Sequence, residues 1–268
     1  MDIILNDASG ITSKSAFQAV KASVHPGLIG KLRKGIDKEA ALQSESLSLR
    51  SSRSRDAVEN LDFLEFFPNL KELTVNSNKL SNIDGLKYTP FLEELEITGS
   101  SWPGPLDLYP IRDCRALEYV WIELDGEYNS DRLYISGLES LARLPKLEGF
   151  TLWNLGIRDI SFIRSMTFIE DADFDGNPIA DFTPLQKHPS LTTLSLSNCG
   201  ITDISFLAQM PNLYDISLED NNIKDFSPLK EISSLKHISA GGNGLSADEI
   251  AKWNNEFRHI EEFHFYVD

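Results

Sequence analysis

Apolar residues along this chain fall into a short motif that restarts every 22 residues or slightly more. Segments beginning at Leu70, Leu92, Leu117, Leu147, Ile169, Leu191, Leu213, Leu235 and Ile260 follow one another at 22, 25, 30, 22, 22, 22, 22 and 25 residues. Each is apolar at positions 1, 4 and 6, as in Leu191, Leu194, Leu196 and in Leu213, Ile216, Leu218. Positions 3 to 7 alternate polar and apolar, which predicts a short strand with one buried face. Position 11 is apolar again in Leu80, Ile157, Ile179, Ile201, Ile223 and Leu245. Position 9 holds Asn78, Asn177, Asn221 and Asn243, where an amide side chain can pair backbone groups that the turn would otherwise bury alone. Cys199 takes this slot in one unit, and a small buried residue there reads as structural rather than reactive.

The second half of the unit repeats as well. Asp159, Asp181, Asp203 and Asp225 each stand two residues before Ser161, Thr183, Ser205 and Ser227, and Pro184 and Pro228 follow directly in two units. The hydroxyl residues read as N-caps and the prolines as first-turn residues of a short helix or 3₁₀ turn on the side opposite the strands. The aspartate ladder has the unit's own period, so it is assigned to turn chemistry and not to catalysis.

These residues resemble the 22-residue class of leucine-rich repeats, found in bacterial internalins and in some eukaryotic phosphatase-regulating proteins. The resemblance covers about residues 61–268. It implies an α/β solenoid, a horseshoe with a parallel concave sheet used for protein binding. The expected organisation is a helical N-terminal cap over 1–46, repeats over 47–245 and a helix-strand C-terminal cap over 246–268, as one continuous domain. Residues 12–43 read as two helices broken near Pro26, with Lys31, Arg33 and Lys34 on the solvated side of the cap. Leu47 and Leu49 read as a first strand, with Val58, Leu61 and Leu64 in the slots of a repeat's second half. Ser246 to Glu249 is a capping box opening a helix that carries Ile250, Trp253 and Phe257, and a last strand is expected from Ile260 to Val267. Two longer units carry extra residues at 100–105 and 126–132, which are expected to form one local rim of loops.

Charge narrows the choice of partner. The chain carries a formal −16. Residues 1–60 hold nine Lys/Arg against seven Asp/Glu; subtraction from totals of 25 and 41 leaves 16 against 34, or −18, in residues 61–268. Such a field repels nucleic acid and anionic lipid and attracts basic proteins. The start of the chain lacks the basic and apolar pattern of a secretory signal, and two cysteines (Cys114 and Cys199) make no disulfide framework. A cytoplasmic protein, monomeric when free, is the expectation.

Strand alternation turns positions 3, 5 and 7 to the sheet's open face. Over the eight units from Leu70 to Leu235 these are 24 residues, nine of them acidic and none Lys or Arg. The candidate binding residues are Glu72, Glu94, Glu96, Tyr119, Trp121, Glu123, Trp153, Asp171, Asp173, Asp175, Asp215 and Glu219. Exposed Trp and Tyr are the types enriched in interface hot spots. The competing reading packs Trp121 and Trp153 under an insertion loop with Trp102 or Tyr128. The run Asp-Ala-Asp-Phe-Asp-Gly at 171–176 matches the start of a calcium loop, but Phe182 stands where its twelfth ligand should be, so no metal is expected. No phosphate loop, His-x-x-x-His, nucleophile elbow or Cys-x-x-Cys is present, and the five histidines are scattered. The expected function is therefore a non-enzymatic module without cofactors that sequesters a basic protein. One version is an immunity-type inhibitor of a toxin; the alternative is an internalin-like surface adhesion or host-interaction protein.

Overall fold

The computed structural model describes residues 41–50, 58–125 and 134–265. Of the cap helices expected over 12–43 all but residues 41–43 lie outside the described residues, as do the basic group Lys31, Arg33 and Lys34, the insertion at 126–132 and the end of the last strand. The chain divides into two compact units: Met1–Tyr128 with Leu133–Leu147, and Asn129–Arg132 with Glu148–Asp268.

In the first unit, strands β1 (Ser46–Arg50), β2 (Glu72–Asn76), β3 (Glu94–Gly99) and β5 (Tyr119–Leu124) pair in parallel in chain order. A two-residue ladder joins β4 (Leu106–Asp107) to β6 (Ile135–Ser136). The register follows from the repeat: Leu47, Leu73, Leu95 and Val120 stand in one row, and Leu49, Val75, Ile97 and Ile122 in the next. All eight are buried. Two stacked rows of branched apolar side chains give each strand a neighbour to pack on, which no single unit would have alone. The chain returns between strands through 3₁₀ segments at Asp62–Phe66, Asp84–Tyr88, Tyr109–Asp113 and Leu138–Arg143. Gly85 sits where the 3₁₀ segments crowd; a Cβ there would lie 1.8 Å from the Leu61 carbonyl oxygen. Of the expected rim of insertion loops, residues 100–105 are described, and they send Trp102 inward. Its indole is buried and its Nε1 donates to the Ser77 carbonyl at 3.0 Å. An apolar ring of that size gains more from burial than a loop loses by bending over it.

The second unit holds β7 (Gly149–Trp153), β8 (Asp171–Asp173), β9 (Thr193–Ser195), β10 (Asp215–Ser217), β11 (His237–Ser239) and β12 (Glu262–His264), again parallel and in chain order. Ala172, Leu194, Ile216 and Ile238 form its inner row. Ala172 is the smallest of these, and the aromatic rings of Phe150 and Phe174 meet edge to face beside it at 5.1 Å. The helix Ala247–Glu256 opens with the expected capping box on Ser246 and Glu249 and packs Trp253 against Phe226 and Phe257.

Two details of the turns differ from the sequence reading. Ser161, Thr183, Ser205 and Ser227 are the first residues of their 3₁₀ segments, not their caps, and none makes a side-chain cap bond. The aspartates do this work. Oδ1 of Asp159, Asp181, Asp203 and Asp225 accepts the backbone N–H two residues on, at 2.7 to 2.9 Å. Oδ2 of Asp181, Asp203 and Asp225 accepts the Thr183, Ser205 or Ser227 hydroxyl. An aspartate two residues upstream reaches the free N–H without strain, which leaves the hydroxyl to act as a donor. These backbone and hydroxyl bonds hold the carboxyls of Asp159, Asp181 and Asp225 below the usual carboxylate range.

The asparagine slot is also split. Asn177, Asn221 and Asn243 are buried and bond backward into the preceding unit. Asn221 Oδ1 accepts from the Cys199 and Ile201 amides, and its Nδ2 donates to the Leu196, Leu218 and Glu219 carbonyls. Asn177 repeats this set on Leu155, Ile157, Leu152, Phe174 and Asp175. Cys199 keeps two contacts of the set through its thiol, to the Phe174 carbonyl at 3.3 Å and to the Ser197 carbonyl at 3.5 Å. Burial pushes that thiol up to about 12. Asn78, by contrast, is exposed and accepts only the Ser100 amide; the buried turn residue of its unit is Ser77, whose hydroxyl donates to the Val58 carbonyl. The longer five- and six-residue strands of the first unit delay its turn, so the inward side chain falls one residue earlier in the frame.

Candidate functional site

The open face of the first unit is a grid set by the strand register. Glu72, Glu94 and Tyr119 form one row across β2, β3 and β5; Thr74, Glu96 and Trp121 form the second; Asn76, Thr98 and Glu123 form the third. Leu73, Val75, Leu95 and Ile97 point the other way and are buried. Tyr119 is 43% and Trp121 48% exposed, large values for rings in the middle of a sheet. Two internal bonds set side chains in place. Trp121 Nε1 donates to Glu123 Oε2 at 2.8 Å, and Thr74 Oγ1 donates to Glu96 Oε2 at 3.1 Å. Together Glu72, Leu73, Thr74, Glu94, Leu95, Glu96, Tyr119 and Trp121 line an open hollow of ≈ 480 Å³. Among the described residues no Lys or Arg lies within ion-pair distance of Glu72, Glu94 or Glu96.

The second unit carries Trp153, Asp171, Asp173, Asp175, Asp215 and Glu219, and here the acids are more engaged. Trp153 is half-buried, and its Nε1 would lie 3.4 Å from a Cβ added at Gly176, so the indole rests over the bare glycine. Asp173 Oδ1 accepts the Asp175 amide at 2.8 Å. Asp175 lies beyond its three-residue strand, where Oδ1 accepts both the Ser195 hydroxyl and the Ser197 amide at 2.6 Å. Its carboxyl is nonetheless pushed upward, because burial outweighs those two bonds. Asp215 Oδ2 meets His237 Nδ1 at 3.1 Å, with the Tyr214 ring edge-on to the imidazole. The acid run is therefore extended strand over Asp171–Asp173, turns only at 175–176 where Gly176 has φ 70°, and is tied to the neighbouring strand through Asp175.

Sequence reasoning did not single out Thr74 or the strand carbons of Leu73 and Leu95, which complete the first unit's hollow. Position 5 of the repeat identifies Thr74 as outward, but nothing in its identity shows that it fixes Glu96. Two further exposed rings, Phe91 and Phe168, stand just before β3 and β8 and outside the frame used for the open face.

Parallel strands at one per repeat, 3₁₀ returns and a backward-bonding asparagine ladder define a leucine-rich-repeat solenoid. Residues 189–231 match the family described as Leucine Rich repeats (2 copies). No curated protein matches the chain. Among solved structures the chain is similar to internalin InlF of Listeria monocytogenes, at 18% identity and TM-score 0.67, over 96% of this chain and 76% of that one. It is also similar to internalin C2 of the same organism, at 24% identity and TM-score 0.67, over 86% and 94%. A third likeness is to TLR13 in its complex with the single-stranded RNA ssRNA13, at 17% identity and TM-score 0.57, over 87% of this chain and 34% of that one. The fold is thus that of internalin-type repeats.

Proposed function

We propose that the chain is a non-enzymatic protein-binding module whose strand face takes up a basic protein. The observation that carries this reading is the first unit's hollow, with two half-exposed rings beside three carboxylates that no described cation neutralises. A ring left in water and an acid left without a counter-ion both favour a partner that supplies apolar contact and positive charge together. The fold alone does not select protein over nucleic acid, since a relative of this fold binds RNA. Charge favours it: no Lys or Arg stands on positions 3, 5 or 7 from Glu72 to Gly241, where nine residues are acidic and His237 is the single basic type, so a phosphate backbone would meet mostly acids. Free carboxylates each add little, yet a field of one sign raises association rates by ~10–1000-fold at low salt.

The finer version is an immunity-type inhibitor, in which the acidic face covers the basic active site of a toxin inside the cytoplasm. It is supported by the match between an acidic face and the basic grooves that bind nucleic acid. The likeness to internalins supports the other version, a surface protein that engages a host protein through the same face. The test places a photo-cross-linking residue at Thr98 on the open face, with a control at Ser165 on the 3₁₀ side, and identifies what is captured. A basic protein captured from Thr98 alone, and lost when Glu94 and Glu96 become Lys, is the expected result. Capture of RNA, or equal capture from both positions, refutes the proposal. A captured toxin whose activity the purified chain abolishes selects the inhibitor version.

A further inference from the structure

We infer that the hollow of the first unit is a socket for one arginine side chain of the partner. This rests on the reading of the chain as a binder of a basic protein, and it names the group that is bound and the atoms that bind it. Glu94 and Glu96 alternate on one face of β3, about 7 Å apart along the strand. Tyr119 and Trp121 stand beside them on β5, in register with Glu94 and Glu96 respectively. The socket therefore has two columns, one of carboxylates and one of rings, a single strand spacing of about 4.8 Å apart.

Three features select a guanidinium over other cations. First, the Trp121 N–H is already given to Glu123, so what the indole offers a ligand is its π surface rather than a donor. A planar guanidinium stacks on such a surface, while an ammonium presents only a point charge. Second, two carboxylates at successive outward positions suit a group with five N–H donors in a fixed fork, which can serve both at once. Third, Glu96 is positioned by the Thr74 hydroxyl on one oxygen, leaving the other oxygen for the ligand.

The socket by itself also carries a cost that a cation would remove. Glu72 and Glu94 are direct register partners on β2 and β3. Like charges directly opposite each other in a sheet are destabilising. Here the pair is not interrupted by any Lys or Arg among the described residues within ion-pair distance. Some acids elsewhere on the same unit do have a cation, as Glu45 has Lys71 and Glu118 has Lys146. In the hollow the acids without a described cation stand next to aromatic rings.

The test uses three short capped peptides, acetyl-Gly-X-Gly-amide with X as arginine, lysine or the neutral analogue citrulline. Binding is read from the indole N–H resonance of Trp121, identified among the four tryptophans by its disappearance in Trp121→Phe. The arginine peptide is expected to shift that resonance saturably. Citrulline should bind at least about tenfold more weakly, because loss of one charge-assisted hydrogen bond is worth a factor of that order. The double variant Glu94→Gln with Glu96→Gln should weaken the arginine peptide by a similar factor, with the Trp102 and Trp253 resonances unmoved as evidence of an intact fold. Equal response to citrulline or lysine, or an unchanged response in the double variant, overturns the socket. Cross-linking from Thr98 separates the two claims. If the peptides fail while a basic protein is still captured there, only the arginine assignment falls; if capture fails as well, the binder reading falls with it.

Discussion

Removing the Asn221 side chain is the sharpest probe of how this solenoid is held together. Asn221→Ala breaks five hydrogen bonds to the backbone. Not all five partners are stranded. The Leu218 carbonyl still accepts from Asn243 Nδ2, and the Glu219 carbonyl still accepts from the Asn198 amide. The Cys199 and Ile201 amides and the Leu196 carbonyl have no replacement among the described bonds, so three buried groups lose their partner. At about 1–3 kcal/mol for each buried unpaired group, with some relief from water entering the space, the expected loss is about 3–5 kcal/mol. Asn78 occupies the same position of its own unit but is exposed and makes one bond, so Asn78→Ala should cost about 1 kcal/mol or less. Urea unfolding followed by tryptophan fluorescence reads both. With a slope near 2–3 kcal/mol per molar, Asn221→Ala should lower the midpoint by roughly 1–2 M and Asn78→Ala by a few tenths. Losses of similar size for the two variants would show that position in the repeat, and not burial of the amide, sets the cost, and the burial argument would fail.

Three further outcomes are expected. His188 is buried in the column that holds Met166 and Met210 one repeat before and after, its Nδ1 has no partner, and burial lowers its pKa. The unfolded state then binds the proton more readily, so stability should be complete above the ordinary histidine value of about 6.5 and fall as pH drops below it. His188→Met should flatten that acid limb in melting temperatures taken between about pH 7.5 and 5, on either side of the ordinary histidine range; an unchanged slope counts against the assignment. Gly85→Ala should destabilise by about 1–3 kcal/mol or more, since its Cβ meets the Leu61 carbonyl, and a wild-type midpoint would show that the 3₁₀ segments can part there. Cys114 and Cys199 are buried with their thiols pushed up to about 12, so a thiol reagent at mildly alkaline pH should label neither until denaturant is added.

The period in Leu191, Leu194 and Leu196 and its counterparts is enough to place the strands, because every apolar slot is filled by contact with the unit before and after. The same logic places Trp253 in the core. It does not place Trp102, because an insertion has no partner slot in the frame and only burial in three dimensions decides its direction. Asn78 escapes the pattern for a related reason: one extra pair of strand residues moves the turn, and composition alone does not show strand length. At the candidate site, register makes Tyr119 and Trp121 neighbours of Glu94 and Glu96 from the repeat alone. The bonds from Thr74 to Glu96 and from Trp121 to Glu123 are hidden from it, since they depend on side-chain rotamers. So is the difference between Glu72 and Glu94, which accept no side-chain bond among those described, and Asp175, which its serine neighbours already occupy.

The backward reach of the asparagine amides makes whole repeats, rather than single residues, the natural unit of change in length. Excising residues 191–212 would join Ser190 to Leu213 in the same frame and bring Asn221 onto the turn now held by Cys199. The spine would then run Asn177, Asn221, Asn243 with no thiol between them. Removing one residue within a strand would turn its apolar row to the open face, so a strand changes only with its whole repeat, and the extra residues of the 25- and 30-residue units fall outside the apolar motif.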